Sequence, residues 1–326
     1  MRRLVITCLA ATLLTGCGMD DSGDPLQVTD QLTAAQPAPA PRDTPPAAGT
    51  VHPAPAIQHT AYDATTGTLL TTSATTLAVR TPGAEQQRTI DLPAAPASLR
   101  TEHGHALLAL PDADAVIRVD LRTGATTDTP VPGRPVDALD LGPDRIATAQ
   151  QDTREVTVRE HGRPSATAAE FDEPAHLLTT GGDLNVLDEL TTSLTPVDPA
   201  TGEKGAGLRA GAGATNAVTD RYGRILAIDT RGGELLAFST DPLIMKQRYP
   251  VPGSPYGLAY DPTRDMAWTT LTETNELVGY DVTGGQPEER HRIPTVSQPD
   301  SVTADPETGK IYVASANGAG IQVVTP

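Results

Sequence analysis

The sequence predicts an all-β protein, a seven-bladed β-propeller built from four-stranded antiparallel blades. Residues 254–294 contain four short runs rich in β-branched and aromatic side chains, each bounded by Gly, Pro, Asp or Asn. The same kind of pattern restarts about every forty residues, at Ile57, Pro96, Pro135, Pro174, Ala214, Pro255 and Pro299. A lone four-stranded meander leaves its edges and faces uncovered, whereas a ring of copies buries both faces of every blade.

The sixth repeat gives the clearest strands, which we expect at residues 256–260, 266–271, 276–281 and 289–293. The other repeats carry weaker signals of the same type. These include His105–Leu110 and Ala115–Asp120 in blade two, Glu155–Val158 in blade three, Arg224–Ile228 and Glu234–Phe238 in blade five, and Lys310–Ser315 and Gly320–Val324 in blade seven.

The last repeat, residues 299–326, is about a dozen residues short of a forty-residue blade, so it lacks one strand. An uncovered strand edge invites pairing with other chains. We therefore expect the stretch near residues 47–52 to pair with Gly320–Val324 and so to close the ring as an N-terminal strand of the last blade.

The chain is strongly acidic, with 24 Lys and Arg against 41 Asp and Glu and a net charge of −17. Such a surface repels phosphate backbones and anionic lipid headgroups. We therefore expect neither a nucleic-acid partner nor electrostatic docking to a membrane, and we expect the protein to be a monomer.

The N-terminus reads as a secretion signal. Arg2 and Arg3 precede an apolar run, residues 4–14, that is too short to span a bilayer as a helix. The stretch Leu14-Thr15-Gly16-Cys17 resembles a bacterial lipobox. That resemblance implies cleavage of residues 1–17 before Cys17, attachment of lipid to Cys17, and an extracytoplasmic protein anchored to the cell membrane. The alternative is an ordinary signal peptide with an incidental cysteine.

The rest of the chain divides into two parts. Residues 18–46 are rich in Pro, Ala and Asp, including the run 36–41 (Gln-Pro-Ala-Pro-Ala-Pro), and are expected to be a disordered linker whose Pro-Ala part is extended. Residues 47–326 are expected to form the propeller. The chain has 2 cysteines, Cys8 and Cys17, so the propeller has no thiol for a disulfide or a metal.

A ring of polar residues is predicted at one opening of the central channel, because the first strand of each blade lines that channel. Two residues after each repeat start come His59, Ser98, Asp137, His176, Asn216, Gly257 and Ser301. With the neighbouring Tyr256 and Asp300 they form the candidate ligand-binding site, and Phe171 and Tyr256 are candidates for stacking on a sugar or peptide. The alternative is that these polar side chains only face a water-filled channel.

The repeats resemble a known family. Leu258-Ala259-Tyr260-Asp261-Pro262, followed one blade later by Ile311-Tyr312-Val313-Ala314-Ser315, is similar to the YVTN (YncE-like) β-propellers, relatives of the WD-repeat and quinoprotein propellers. The resemblance covers residues 51–326 and implies an extracytoplasmic binding or scaffold protein. The turns at residues 120–124 and 198–202 are similar to repeats of quinone-dependent dehydrogenases, but the Trp that follows the Gly in those repeats is missing here. We therefore expect no cofactor.

Two functions remain open, with a redox protein as a third and weaker one. The first is a membrane-anchored binding or scaffold module for a peptide, glycan or partner protein, without catalytic residues or a resident metal. The second is a metal-dependent lactonase-type hydrolase or lyase that works at the channel opening. The sequence contains neither a Gly-x-Ser-x-Gly turn nor a His-Glu-x-x-His pair. The first function is therefore preferred.

Overall fold

The computed structural model describes residues 32–43, 45–81 and 87–326. The predicted leader, the lipid attachment at Cys17 and linker residues 18–31 lie outside the described residues. Over the described ranges the structure contains strands and one 3-10 helix, Pro111–Ala113. None of its helices has the length and apolar character needed to cross a membrane.

Strands of the described chain form seven four-stranded antiparallel sheets, one for each predicted blade. The first strand, β1 (Thr50–His52), belongs to the last blade. Blade one consists of β2 (His59–Asp63), β3 (Thr68–Ser73), β4 (Thr76–Arg80) and β5 (Gln87–Asp91). Blade two consists of β6 (Ser98–Glu102), β7 (His105–Leu110), β8 (Ala115–Asp120) and β9 (Thr126–Pro130). Blade three consists of β10 (Pro135–Asp140), β11 (Arg145–Gln150), β12 (Glu155–Glu160) and β13 (Arg163–Ala168).

The remaining blades follow the same order, innermost strand first. Blade four consists of β14 (Pro174–Thr180), β15 (Asp183–Asp188), β16 (Ser193–Val197) and β17 (Leu208–Arg209). Blade five consists of β18 (Ala214–Thr219), β19 (Ile225–Asp229), β20 (Glu234–Thr240) and β21 (Leu243–Pro250). Blade six consists of β22 (Pro255–Asp261), β23 (Met266–Leu271), β24 (Glu276–Asp281) and β25 (Glu288–Pro294). Blade seven consists of β26 (Ser301–Ala304), β27 (Ile311–Ala314), β28 (Ile321–Val324) and β1.

Burial along the strands explains the sequence pattern. Strand β23 is buried at every position, because alternate side chains pack against the two neighbouring blades. Trp268 belongs to the cluster shared with blade seven, whereas Ala267 belongs to the cluster shared with blade five. The outer strand β21 instead alternates between partly buried and exposed side chains, since one of its faces meets solvent. A middle strand such as β23 is therefore buried on both faces, whereas outer strands such as β5 and β9 are mostly exposed.

A hydrophobic cluster fills every junction between adjacent blades of the described ring. The cluster that joins the last blade to the first contains Ile57, Leu69, Tyr312, Ala314 and Ile321. Full burial of one such Leu or Ile side chain stabilises the fold by about 1.5–3 kcal/mol. The core is thus a set of blade-to-blade interfaces rather than one central mass.

The predicted N-terminal strand closes the ring. Strand β1 pairs antiparallel with β28, with Val51 opposite Gln322. The Gln322 amide also donates to the Ala48 carbonyl oxygen at 2.8 Å. Gly49 enters the strand at φ +72°, and a Cβ there would lie 2.3 Å from the Val323 carbonyl oxygen, so only glycine fits.

The turn between strands of a blade is commonly built around one aspartate. Asp120 Oδ1 accepts hydrogen bonds from the Arg122 and Thr123 amides at 2.9 and 2.8 Å, and Gly124 closes the turn at φ +80°. The stretch similar to the quinone-dependent repeats is therefore an Asp-capped hairpin turn in this chain.

Candidate functional site

The channel opening at which the inner strands begin holds a cavity of about 370 Å³, the mouth cavity. All seven blades contribute to its wall. The eight residues predicted from the sequence to lie there all line it: His59, Ser98, Asp137, His176, Asn216, Tyr256, Asp300 and Ser301. The structure thus brings together side chains that are separated by up to 242 residues of sequence between His59 and Ser301. That they contact a ligand remains a prediction.

Irregular pairing between the two inner strands orients several of these side chains. In blades three, four and five the register shifts between the repeat start and the residue two positions later, which is Asp137, His176 or Asn216. A bulge inserts one extra residue and turns the strand locally. In each of these three blades the side chain that follows the bulge lines the mouth cavity.

Blade six departs from the polar pattern because Gly257 occupies its mouth position. A Cβ at this position would lie 2.8 Å from Thr270 Oγ1 and 3.0 Å from the Asp300 carbonyl oxygen. The second strand of blade six and the neighbouring blade together therefore leave too little room for a side chain. Blade six contributes Tyr256 to the cavity instead.

Asp137 is the most heavily bonded of the mouth residues. Its carboxylate accepts two hydrogen bonds from Arg100, at 2.9 and 2.5 Å, and one from the Leu177 amide at 2.8 Å. These partners belong to blades two and four, so Asp137 joins three consecutive blades. The sequence analysis missed Arg100, although its place two residues after Ser98 on the same strand puts both side chains on the same face.

Electrostatics keep this pair ionised. Burial raises the pKa of Asp137, but the charge and hydrogen bonds of Arg100 outweigh that effect and hold the pKa below its ordinary value. Burial likewise lowers the pKa of Arg100, and the charge of Asp137 more than restores it. The carboxylate of Asp137 is 1% exposed. Its first role is therefore to hold the blades together, with little surface left for a ligand.

His176 lies between two acceptors. Its Nε2 is 2.7 Å from the Thr215 carbonyl oxygen and 3.1 Å from Glu189 Oε1. A carbonyl oxygen only accepts, so Nε2 carries the proton. Burial lowers the pKa of His176, but the hydrogen bond and charge of Glu189 together with the charge of Asp137 raise it above 6.5 overall. This imidazole therefore holds its proton more strongly than a free histidine.

His59 makes the same contact to the next blade but has no acid beside it. Its Nε2 lies 3.3 Å from the Pro96 carbonyl oxygen. Burial is the largest effect on this ring and lowers the pKa of His59 below 6.5. The pKa values of the two mouth histidines are thus shifted in opposite directions because, among the described residues, His176 but not His59 has a carboxylate within hydrogen-bond distance.

The two mouth serines are placed differently. Ser301 Oγ accepts a hydrogen bond from the Thr60 amide at 2.9 Å and so ties the last blade to the first. The Ser98 hydroxyl is buried and has no hydrogen-bond partner among the described residues.

Carboxylates from blades four and seven give the cavity an acidic lining. Glu173 and Glu189 from blade four and Asp300 from blade seven line it, beside Tyr256 and Asn216. Burial is the main cause that raises the pKa of Glu173 and of Asp300. Burial, Glu189 and Asp300 together raise the pKa of Tyr256 to about 12, so its hydroxyl is a neutral donor.

Phe171 does not lie at the mouth. It is 4% exposed, packs in the cluster between blades three and four, and carries the Lys204 ammonium 4.7 Å above its ring. The expectation that Phe171 stacks on a ligand is therefore wrong, because this apolar ring fills a blade junction. In the part of the chain that the structure describes, no three His, Cys, Asp or Glu residues are grouped to hold a metal ion.

Comparison with known proteins shows the fold of the chain alone. No protein-family model matches the sequence, and no curated protein matches it either.

Solved structures do resemble it. Hydrazine synthase from Kuenenia stuttgartiensis is 13% identical with a TM-score of 0.71, over 83% of this chain and 96% of that one. A catalytically inactive His-to-Ala variant of virginiamycin B lyase from Staphylococcus aureus, solved with quinupristin, is 12% identical with a TM-score of 0.68, over 86% and 98%. The β-propeller domain of Cps50 (Swd1) from Myceliophteria thermophila is 12% identical with a TM-score of 0.71, over 85% and 98%. These likenesses show the fold alone, which is that of a seven-bladed β-propeller.

Proposed function

We propose that this chain is an extracytoplasmic lipoprotein, anchored to the cell membrane through Cys17, whose mouth cavity binds a peptide ligand through a protonated amine. In this proposal the protein belongs with the YncE-like propellers, acts as a monomeric binding module and performs no catalysis. The lipobox-like stretch and the repeat resemblance support the location and the family.

The observation that carries the ligand class is the unbalanced charge of the mouth cavity. Asp137 neutralises the charge of Arg100, and Glu189 is paired with His176. Neither Glu173 nor Asp300 has an ion-pair partner among the described residues. Burial disfavours both carboxylates, since it raises the pKa of each. A protonated amine in the cavity would relieve that cost, whereas an anionic ligand would add to it.

The size of the cavity limits the guest to one side chain or a short terminus of a larger ligand. Its volume of about 370 Å³ lies at the small end of ligand pockets. The Tyr256 hydroxyl provides a hydrogen-bond donor for the neighbouring backbone of a peptide. A lysine side chain that enters between Glu173 and Asp300 fits these groups.

The test is calorimetric titration of the purified protein with the capped tripeptide Ala-Lys-Ala and with the same peptide acetylated at its side-chain amine. The free amine is expected to bind at least about tenfold more tightly, the effect of one charge-assisted hydrogen bond. Glu173→Gln should remove that preference, and the exposed Glu160→Gln at the far end of blade three should keep it. Equal binding of the two peptides to the wild-type protein would refute the ligand class.

A lyase is the second candidate, and the His176–Glu189 pair favours it. A histidine held by a carboxylate at a cavity can transfer a proton to or from a bound substrate. Virginiamycin B lyase has the same fold. The check is to incubate the protein with quinupristin and divalent metal ions and to follow the loss of quinupristin by liquid chromatography. Turnover that is lost in His176→Gln would replace the binding proposal with this one.

A further inference from the structure

The end of the predicted linker does not leave the propeller. Residues 33–41, which we call the strap, lie along the rim of the mouth where the inner strands of blades five, six and seven begin. Arg231 Nη2 donates to the Thr33 carbonyl oxygen at 2.6 Å, and the Ala38 amide donates to Ser254 Oγ at 3.3 Å. The strap thus contacts the turn between β19 and β20 and the loop before β22, and it has no secondary structure of its own.

Gln298 in blade seven forms hydrogen bonds with the backbone of the strap at two points. Its side-chain oxygen accepts a hydrogen bond from the Ala40 amide at 2.9 Å, and its side-chain nitrogen donates to the Ala38 carbonyl oxygen at 3.2 Å. An amide side chain that pairs with both a donor and an acceptor on one peptide face fixes the direction of the chain. These two hydrogen bonds involve only backbone atoms of the peptide and none of its side chains.

Burial along the strap repeats every three residues. Gln36, Pro39 and Arg42 are exposed, and the residues between them are buried or partly buried. A polyproline II helix has three residues per turn, so a peptide of that kind presents one edge to solvent and two to a groove. The alternating Pro and Ala residues of the strap favour that conformation, which binds at a low entropic cost.

Gly213 in the rim lies opposite Ala35 of the strap, where only a small side chain fits. Ala35 is 5% exposed, and a Cβ added at Gly213 would lie 2.8 Å from the Ala35 Cβ. The methyl group of Ala35 therefore occupies the space that any other residue at 213 would fill. A larger residue in place of Ala35 would lift the peptide off the rim.

The rim and the mouth cavity share one residue. The same Gln298 nitrogen that bonds the strap donates to Asp300 Oδ1 at 2.8 Å, and Asp300 lines the cavity. Gln298 therefore contacts both the peptide on the rim and a carboxylate inside the mouth.

We propose that the rim of blades five to seven is a binding site for an extended proline-rich peptide, and that the strap occupies this site in cis. Arg231, Ser254 and Gln298 hold the peptide backbone, and Gly213 admits only alanine or glycine opposite it. Because Arg231, Ser254, Gln298 and Gly213 do not line the mouth cavity, the inference stands whether or not the proposed function is correct.

Two matched variants of the full chain test this inference. Ala35→Glu places a carboxylate where the strap is buried, and Gln36→Glu places the same group on its exposed edge. Hydrogen–deuterium exchange of the peptide that contains Ala38 and Ala40 should be slow in the wild-type protein and in Gln36→Glu. It should become at least about tenfold faster in Ala35→Glu, with no change at β1. Fast exchange in the wild-type protein would overturn the inference.

A peptide added in trans provides the second measurement. A fluorescently labelled synthetic peptide of residues 33–42 should bind Ala35→Glu, because its rim is vacated, and should bind the wild-type protein much more weakly. The strap competes in the wild-type chain at an effective concentration in the millimolar range. Adding Gln298→Ala to Ala35→Glu should abolish binding of the peptide. Absence of binding to folded Ala35→Glu up to millimolar peptide would overturn the proposal. A wild-type dimer in which each strap occupies the rim of the other molecule would overturn the occupancy in cis.

Discussion

Arg100 and Asp137 form a two-point ion pair across the junction of blades two and three, with N–O distances of 2.9 and 2.5 Å. Asp137 was predicted as a ligand-binding residue, and the structure places it in the mouth cavity. Its oxygens are nevertheless used by neighbouring blades. Asp137 therefore matters first for the stability of the ring.

Replacing this carboxylate should unfold the protein more easily. Asp137→Ala leaves the Arg100 guanidinium without its counter-ion and the Leu177 amide without an acceptor. Breaking a buried pair in this way costs about 3–5 kcal/mol. Chemical denaturation followed by circular dichroism would measure the loss. Asp152→Ala is the control, because Asp152 is 60% exposed in its ion pair and its removal should cost less than about 0.5 kcal/mol. An equal effect of the two substitutions would contradict the structural role.

The two mouth histidines should give opposite dependences of stability on pH. The pKa of His176 is raised above 6.5 in the folded protein, so its contribution to stability is complete below pH about 6.5 and is lost as pH rises through the folded pKa. The pKa of His59 is lowered, so the unfolded chain binds its proton first and acidification below about 6.5 destabilises the fold.

Calorimetry of three proteins between pH 5 and pH 8 would separate these effects. Relative to the wild-type protein, His59→Gln should lose less stability on acidification, and His176→Gln should lose less as the pH rises. Nuclear magnetic resonance titration should place the His176 ring above 6.5 and the His59 ring below it. The reverse order would show that the Glu189 contact does not govern His176.

Closure of the ring should depend on the glycine that precedes β1. Gly49→Ala forces a positive φ on alanine and brings its Cβ within 2.3 Å of the Val323 carbonyl oxygen. Strain of this kind costs about 1–3 kcal/mol, so the melting temperature should fall by several degrees. Gly285→Ala is the control, because a Cβ there meets nothing within 4 Å. An unchanged melting temperature in Gly49→Ala would argue that β1 contributes little to closure.

Membrane attachment should depend on one thiol. In the lipoprotein hypothesis, Cys17→Ala removes the only site for the lipid and releases the protein into the soluble fraction, whereas Cys8→Ala in the leader leaves it attached. Two acyl chains on one residue are enough for stable anchoring. Membrane fractionation after a high-salt wash measures the distribution. Retention of Cys17→Ala in the membrane fraction would refute the anchor.

The architecture could be predicted from local patterns because each blade repeats the same hydrophobic alternation. The strands of blade six begin and end within one residue of their expected positions, as in Pro255–Asp261 and Glu288–Pro294. The missing strand of blade seven was also predictable, since an open edge must be covered. A repeat start followed two residues later by a polar side chain was enough to place His59 and Ser301 at one opening.

The sequence alone thus determined the repeat, the number of blades, the closing strand and the ring of polar residues, because these follow from periodicity and from the need to bury every face. Only the tertiary structure decided which polar groups form hydrogen bonds or ion pairs between blades and which still face the cavity. Arg100, Glu173 and Glu189 do not occupy the repeat position that predicts a mouth residue, so the repeat pattern did not predict them. Phe171 does not occupy that position either, and its predicted place beside the mouth was wrong. The docking of the strap also depends on contacts between residues such as Ala40 and Gln298, which are far apart in sequence. A proline-rich segment carries no local signal of the surface that receives it.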